Sequence, residues 1–192
     1  MTDPADRPVL NALLSRRSVR PRRLRAPGPD AAALDRIVAA GLRGVDHGNL
    51  RPWRLLLIED RERLAEAFAA AEVRLRPEAE PDRLARARER ALRGPVLLAV
   101  IASPDPARRD VPEHEQWAAV GAALQQMLLA ADALGFAGSL LSGRKTEAAP
   151  LRDALHLAGH ERLVGFLTLG TQTNAPPAHT PGDPAARWSR WP

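Results

Sequence analysis

GPVLLAVIA, residues 94–102, is the stretch that decides the fold class. Gly94-Pro95 breaks the charged helical pattern before it, and the residues that follow are all apolar. A short apolar run that follows such a break is typical of a strand buried within a sheet. The sequence therefore predicts a central strand at 96–102, and three similar runs predict its neighbours: WRLLLIE (53–59), FAGSLL (136–141) and RLVGFLTL (162–169).

Helical patterns surround these strands in an irregular order. Two helices are predicted before the first strand and two between the first and second, which is not a regular βαβ succession. We therefore expect a three-layer α+β domain with a central, largely antiparallel or mixed sheet of four to five strands flanked by helices. Residues 16–25 are expected to form a loop, because Pro21 does not fit a helix interior. The predicted helices span 9–16, 31–41, 61–76 (capped by Asp60), 83–93, 113–134 and 146–158.

The composition excludes several classes of function. The chain has 192 residues, enough to bury a core without a metal or a disulfide. It contains no cysteine, which excludes disulfide scaffolds, thiolate zinc sites and cysteine nucleophiles and favours a reducing cytoplasm. The apolar stretch 117–136 carries Gln125, Gln126 and Asp132, so a buried core helix is a better interpretation than a membrane span.

The net charge of +5 raises the hypothesis of nucleic-acid binding. Its best candidate is the segment RRSVRPRRLR (16–25), but no Phe or Trp lies near it and the chain has no Tyr. All basic residues except Lys145 are arginines, which indicates a bias of the whole sequence rather than a dedicated basic patch. We therefore expect no nucleic-acid partner.

Most familiar catalytic motifs are missing from the sequence. There is no GxxxxGK[ST] and no GxGxxG, and GSLLSG (138–143) lacks the spacing of a nucleophile elbow. His156 and His160 have a spacing that would suit two metal ligands on one helix face. Because Ala158-Gly159 predicts that the helix ends between them, surface histidines are the better interpretation and no metal is expected.

Two polar segments remain that a core does not need. Arg16-Arg17-Ser18 follows the first helix, and guanidinium and hydroxyl donors of this kind suit a phosphate; the alternative is a solvated basic loop. DHGNLRPW (46–53) offers His, Asn and Arg groups for a planar heterocycle. Its alternative is an ordinary loop with Trp53 in the core.

Taken together, these segments resemble the flavin-dependent nitroreductase family, most closely its small, minimal bacterial members. RRSVR (16–20), GLRGVDHGNLRPW (41–53) and GFLTLGT (165–171) carry the resemblance, which covers about residues 9–171 in order and with suitable spacing. The chain departs from close relatives where they have W-R-S and it has Leu140-Leu141-Ser142. Arg51 replaces a Gln, and Val45 replaces a Pro. These changes surround the expected substrate face, so they bear on the expected substrate preference more than on flavin binding.

The resemblance implies an intertwined homodimer with flavin mononucleotide (FMN) at the interface. The first Arg-Arg-Ser segment would hold the phosphate and ribityl chain, the 43–49 segment would reach the flavin from the other subunit, and the 140–142 turn would lie along the isoalloxazine. The implied cofactor-binding residues are Arg16, Arg17, Ser18, Arg43, His47, Asn49, Leu140, Leu141 and Ser142.

The implied reaction is a ping-pong reduction, with NAD(P)H as a transient electron donor and a nitroaromatic, quinone or similar small molecule as acceptor. No protein residue needs to be catalytic, since the flavin carries the chemistry. A family member that binds flavin without turnover is the alternative. The domain is expected to span 1–171, with 172–192 as an arm that packs Trp188 and Trp191 on the partner subunit; the alternative is a disordered tail.

Overall fold

A computed structural model describes residues 8–174 and 182–191 of the chain. Within these residues an antiparallel sheet of five strands forms the centre of the molecule. The α+β class and the antiparallel sheet predicted from the sequence are confirmed. The strands are β1 (Leu24–Arg25), β2 (Trp53–Leu57), β3 (Val96–Ala102), β4 (Ala137–Leu141) and β5 (Arg162–Gln172). Their order in the sheet is β1-β5-β3-β2, and β4 also pairs with β5.

Helices cover both faces of the sheet, because β3 and β5 alternate apolar side chains between the two faces. On one face, Leu97, Ala99 and Ile101 pack with the helices α3 (Arg61–Leu75), α4 (Pro81–Ala91) and α6 (Ala149–Ala154). On the other face, Leu98 and Val100 pack with α2 (Ala31–Gly41) and α5 (Glu113–Ala133). The side chains of Asp30 and Asp60 cap α2 and α3 by accepting hydrogen bonds from the first turn. Helix α1 spans Pro8–Ser15.

Two sequence-based assignments were wrong. Leu24–Arg25, expected in a loop, pairs with the end of β5, and Leu24 is fully buried. A strand of two residues is too short to show a period, and its pairing depends on a segment almost 150 residues away. The helix predicted at 146–158 is a 3-10 turn (Arg144–Glu147) followed by the short α6, because Ala148 is extended and His156 has a positive φ of 51°.

The long apolar helix predicted at 113–134 is α5, which packs against α2 and the sheet. No helix in residues 8–174 and 182–191 combines the length and the apolar character that crossing a membrane would require. The leucines of α1, in contrast, are not buried within the chain: Leu13 is 48% exposed and Leu14 is 75% exposed.

Candidate functional site

Strand β4 brings together two of the segments that the sequence singled out. Ser18 forms a parallel bridge with Gly138, and the backbone N–H of Val19 donates to the Gly138 carbonyl at 3.0 Å. A side chain at position 138 would collide with the Leu169 side chain at 2.6 Å and the Thr168 carbonyl at 2.7 Å, so β4 and β5 approach each other this closely only with glycine at this position. The Arg-Arg-Ser segment therefore lies beside the same strand that ends at Leu140-Leu141.

A buried guanidinium donor is left over beside this strand. Nη1 of Arg16 is buried, and the part of the chain that the structure describes offers it no hydrogen-bond acceptor; the Oγ of Ser139 is in the same condition. A buried donor without an acceptor costs free energy, and a phosphate oxygen would satisfy it with a charge-assisted hydrogen bond. Arg17 is half-buried and Ser18 is exposed. The residues at this corner fit a phosphate group.

A pocket of about 890 Å³ opens between the sheet, α3, α4 and the loop after β4. Its volume lies in the range of about 300–1,000 Å³ that is usual for sites of cofactors and drug-sized ligands. Leu141 and Ser142 form part of its wall, whereas Leu140 packs on the opposite face of the sheet. The remaining lining residues include Arg20–Arg22, Gly143–Thr146, Phe68, Glu72, Leu75, Arg76, Arg83, Arg86, Arg90, Arg93, Phe166 and Thr168.

The loop after β4 has a defined shape. The Ser142 hydroxyl donates to the Val164 carbonyl at 2.6 Å, and the Thr146 hydroxyl donates to the Gly143 carbonyl at 2.9 Å. Gly143 has a φ of 142°, a conformation that side chains rarely adopt, and open space lies where its Cβ would be. The backbone of this loop therefore presents an open surface to the pocket.

Glu72 is a buried carboxylate at the pocket that the sequence analysis did not single out. Its Oε1 accepts hydrogen bonds from Arg76 Nη1 at 2.8 Å and Arg83 Nε at 2.5 Å, and Lys145 Nζ contacts its Oε2. Burial opposes ionisation, but hydrogen bonds from Lys145 and Arg83 outweigh it and lower the pKa of Glu72 to about 2. The ammonium of Lys145 also lies 5.9 Å from the Phe68 ring centroid. No sequence signal marks this cluster.

Arg43, His47 and Asn49 lie elsewhere in the chain, and none of them lines this pocket. All three are exposed, and His47 Nδ1 lies 2.5 Å from Glu115 Oε2 at the start of α5. Asn49 has a φ of 53°, and the backbone N–H groups of Leu50 and Arg51 donate to the Asp46 carboxylate. Their predicted contact with the flavin of another subunit stays a prediction.

The two histidines at metal-ligand spacing have separate partners. His156 Nε2 lies 3.2 Å from Arg63, and His160 Nε2 lies 3.1 Å from the Ser103 hydroxyl. Residues 8–174 and 182–191 contain no group of three or more acidic or histidine side chains placed to hold a metal ion. α6 ends at Ala154, before His156, whereas the sequence predicted that the helix would end between the two histidines.

Comparison with known proteins identifies a family. The model of the nitroreductase family matches residues 13–171. An Escherichia coli (strain K12) protein with the name "Putative NAD(P)H nitroreductase YdjA" is 32% identical over 163 residues, which cover 85% of this chain and 87% of that protein. A similarly named protein of Haemophilus influenzae is 32% identical over 165 residues, covering 85% and 88%.

Solved structures show the same fold. The nitroreductase-like family protein from Bacillus cereus superimposes with a TM-score of 0.81 at 23% identity, covering 100% of this chain and 98% of that one. A mutant of the FMN and NADPH-dependent nitroreductase NfnB from sphigopyxis sp. strain HMH superimposes with a TM-score of 0.74 at 24% identity, covering 95% of this chain and 98% of that one. The chain belongs to the nitroreductase family of oxidoreductases.

Proposed function

We propose that the protein is an FMN-dependent NAD(P)H oxidoreductase that reduces nitroaromatic, quinone or similar small acceptors. One observation carries the proposal: the Arg-Arg-Ser segment, far away in the sequence, pairs with β4 at Gly138, and the same strand ends at the 141–142 turn in the wall of a large pocket. Names of similar proteins support it, since one relative is named for NAD(P)H and one structural neighbour for FMN and NADPH.

Arg16, Arg17 and Ser18 would hold the FMN phosphate, and the unsatisfied Nη1 of Arg16 is the donor that such a phosphate would complete. Leu141 and Ser142 would form the wall beside the ring system. When bound, FMN would supply the redox chemistry, a hydride exchange at its N5 between NAD(P)H and the acceptor. The chain itself then needs only to bind, orient and enclose the reactants, in a pocket used in turn by donor and acceptor.

We also propose an intertwined homodimer. The single chain leaves large apolar side chains in solvent on α1, on α5 and in the C-terminal segment: Val9, Leu14, Trp117, Trp188 and Trp191. We expect large apolar side chains exposed in such number to be covered by a partner, since exposed apolar patches usually mark interfaces. Such a dimer would cover these groups, and Arg43, His47 and Asn49 would serve the flavin of the neighbouring subunit. Residues 175–181 of the proposed arm and residue 192 lie outside the described residues.

A visible absorption spectrum of the purified protein, followed by titration with FMN, tests the cofactor. We expect a yellow protein, or uptake of added FMN, and an Arg16→Ala variant that binds FMN at least about tenfold more weakly, because a charge-assisted hydrogen bond to the phosphate is lost. Arg36→Ala, an exposed arginine of α2, is the matched control. A colourless protein that takes up no FMN would contradict the proposal.

Sedimentation tests the dimer. Truncation before Trp188 removes two indoles that are 67% and 96% exposed in the single chain, and we expect it to weaken self-association. Sedimentation that truncation leaves unchanged would argue against the role of the arm.

A second candidate function is flavin binding without turnover. Leu141 favours it, because close relatives have a charged, stacking-capable Arg there and this chain has an apolar side chain that is 42% exposed. Steady-state NAD(P)H oxidation with a quinone or a nitrofuran separates the two functions. Turnover supports the reductase, and a yellow protein without turnover supports the alternative.

A further inference from the structure

The wall of the pocket carries far more positive charge than the chain as a whole. Among the described residues that line it, nine are basic and one, Glu72, is acidic, whereas all 192 residues together have a net charge of +5. These basic residues come from four separate segments. They are Arg20, Arg22, Arg76, Arg83, Arg86, Arg90, Arg93, Arg144 and Lys145.

The carboxylates around the pocket do not balance this charge. Glu72 serves three of the cations at once. Outside the wall, Glu89 pairs with Arg93 at 2.9 Å and lies 3.7 Å from Arg22. Asp82 lies 4.0 Å from Arg86, and both side chains are well exposed, so this pair contributes little. A surplus of guanidinium groups therefore faces the pocket.

The proposed FMN phosphate would not use this surplus, because Arg16, Arg17 and Ser18 are not part of the pocket wall. The surplus is concentrated on α4, where Arg83, Arg86 and Arg90 share one helix face. Arg83 is held by Glu72, whereas Arg86 and Arg90 are exposed at the wall.

We propose that Arg86 and Arg90 of α4 bind a terminal phosphate or carboxylate group of the molecule that exchanges electrons with the flavin, and not the diphosphate that NADH and NADPH share. The inference rests on the proposed function and names the substrate class of its pocket. Guanidinium forks match both anions in a bidentate manner. Such a terminal anion has two sources: the additional phosphate that distinguishes NADPH from NADH, or a carboxylate on the electron acceptor.

Two matched pairs of reactants distinguish these sources, with the FMN-loaded protein in both cases. In the donor arm, NADPH and NADH are compared with one neutral acceptor. In the acceptor arm, 4-nitrobenzoate is compared with 4-nitrobenzamide under one donor. We expect kcat/KM to favour the anionic member of at least one pair by about fivefold or more, since two guanidinium groups at a partly enclosed wall contribute. The preference should shrink in salt, because screening weakens exposed charge pairs.

Substitutions on α4 assign the preference to its residues. The double variant Arg86→Gln with Arg90→Gln should lower the ratio of kcat/KM values within the favoured pair by about threefold to tenfold. Arg88→Gln is the control: it lies on the same helix, bonds Glu66 and does not line the pocket. It should leave the ratio unchanged.

An active, FMN-loaded protein with no preference in either pair would overturn the inference and leave the proposed function standing. A preference that survives in the double variant, or that Arg88→Gln removes equally, would also overturn it. A protein that takes up no FMN would overturn the proposed function, and this inference with it.

Discussion

Glu72 and Glu161 are both buried carboxylates whose pKa is lowered to about 2, yet their surroundings differ. Glu161 is matched one to one: Arg54 donates from Nε at 2.5 Å and from Nη2 at 2.7 Å, and the N–H of Ala158 adds a third hydrogen bond. Glu72 has three cations and lies at the pocket wall.

The difference separates structure from function. The Arg54–Glu161 pair is a balanced ion pair that joins β2 to the residue before β5, and neither residue lines the pocket. The Glu72 cluster is unbalanced, and its excess cations line the place where we propose that reactants bind. Removing the cation of a one-to-one pair leaves a buried carboxylate without a partner. A carboxylate with three cations keeps partners when one cation is removed, so the larger cost comes from removing the carboxylate itself. In the free energy of unfolding, removal of the cation should therefore cost more than removal of the carboxylate at Glu161, and less at Glu72.

Arg54→Met should be the most destabilising of these changes. It leaves Glu161, whose side chain is 7% exposed, as a buried charge without a cation. We expect a loss of about 3 kcal/mol in the free energy of unfolding, the order usual for breaking a buried ion pair. Urea unfolding at a fixed protein concentration measures it, because self-association would make stability depend on concentration.

The matched change, Glu161→Gln, should cost only about 1 kcal/mol, because Arg54 is 37% exposed and can reach water. If Glu161→Gln costs more than Arg54→Met, the interpretation of this pair as a carboxylate held by one cation is wrong.

Glu72→Gln should rank next, with a loss of about 2 kcal/mol. The amide can satisfy one donor but no longer neutralises Lys145, whose side chain is only 14% exposed. Arg76 and Arg83, each nearly half exposed, can turn toward water and limit the loss. The same unfolding measurement applies. A cost no larger than that of Glu161→Gln would show that the cations of this cluster do not depend on the carboxylate.

The sequence predicts well those parts of the fold that depend on a local pattern. The strand at 96–102 and the helix at 31–41 match the structure residue for residue, since a breaker or a capping Asp fixes their starts. Arg16 and Ser18 were also singled out from the sequence, and they lie beside the strand that leads to the pocket.

The basic wall was not predictable, because its residues come from segments that only the tertiary fold brings together. The contact of Glu72 with Lys145 crosses more than 70 positions, and in an arginine-rich chain no single arginine of α4 is conspicuous. Strand β1 was missed for the same reason, since its partner strand is remote in sequence.

The pH dependence of stability sharpens the comparison further. Because the folded-state pKa of Glu72 lies near 2, below its ordinary value of 4.5, its contribution is fully present above about pH 5 and is lost as the pH falls toward 2. The difference in unfolding free energy between the protein and Glu72→Gln should therefore lose most of its value between pH 6 and pH 3, since this pKa change removes about 2 kcal/mol over that range. A difference that stays constant over this range would contradict the lowered pKa.

Lys145→Met should have the smallest effect, a change within about 1 kcal/mol, because replacing a buried cation by an apolar side chain removes its desolvation cost while the carboxylate keeps other partners. Here those partners are Arg76 and Arg83, which still bind Glu72. Urea unfolding beside Arg54→Met tests the contrast directly, since each variant removes one cation from one buried carboxylate. Equal losses in the two variants would mean that Lys145 is as indispensable to Glu72 as Arg54 is to Glu161, and that the Glu72 cluster holds no cation in excess.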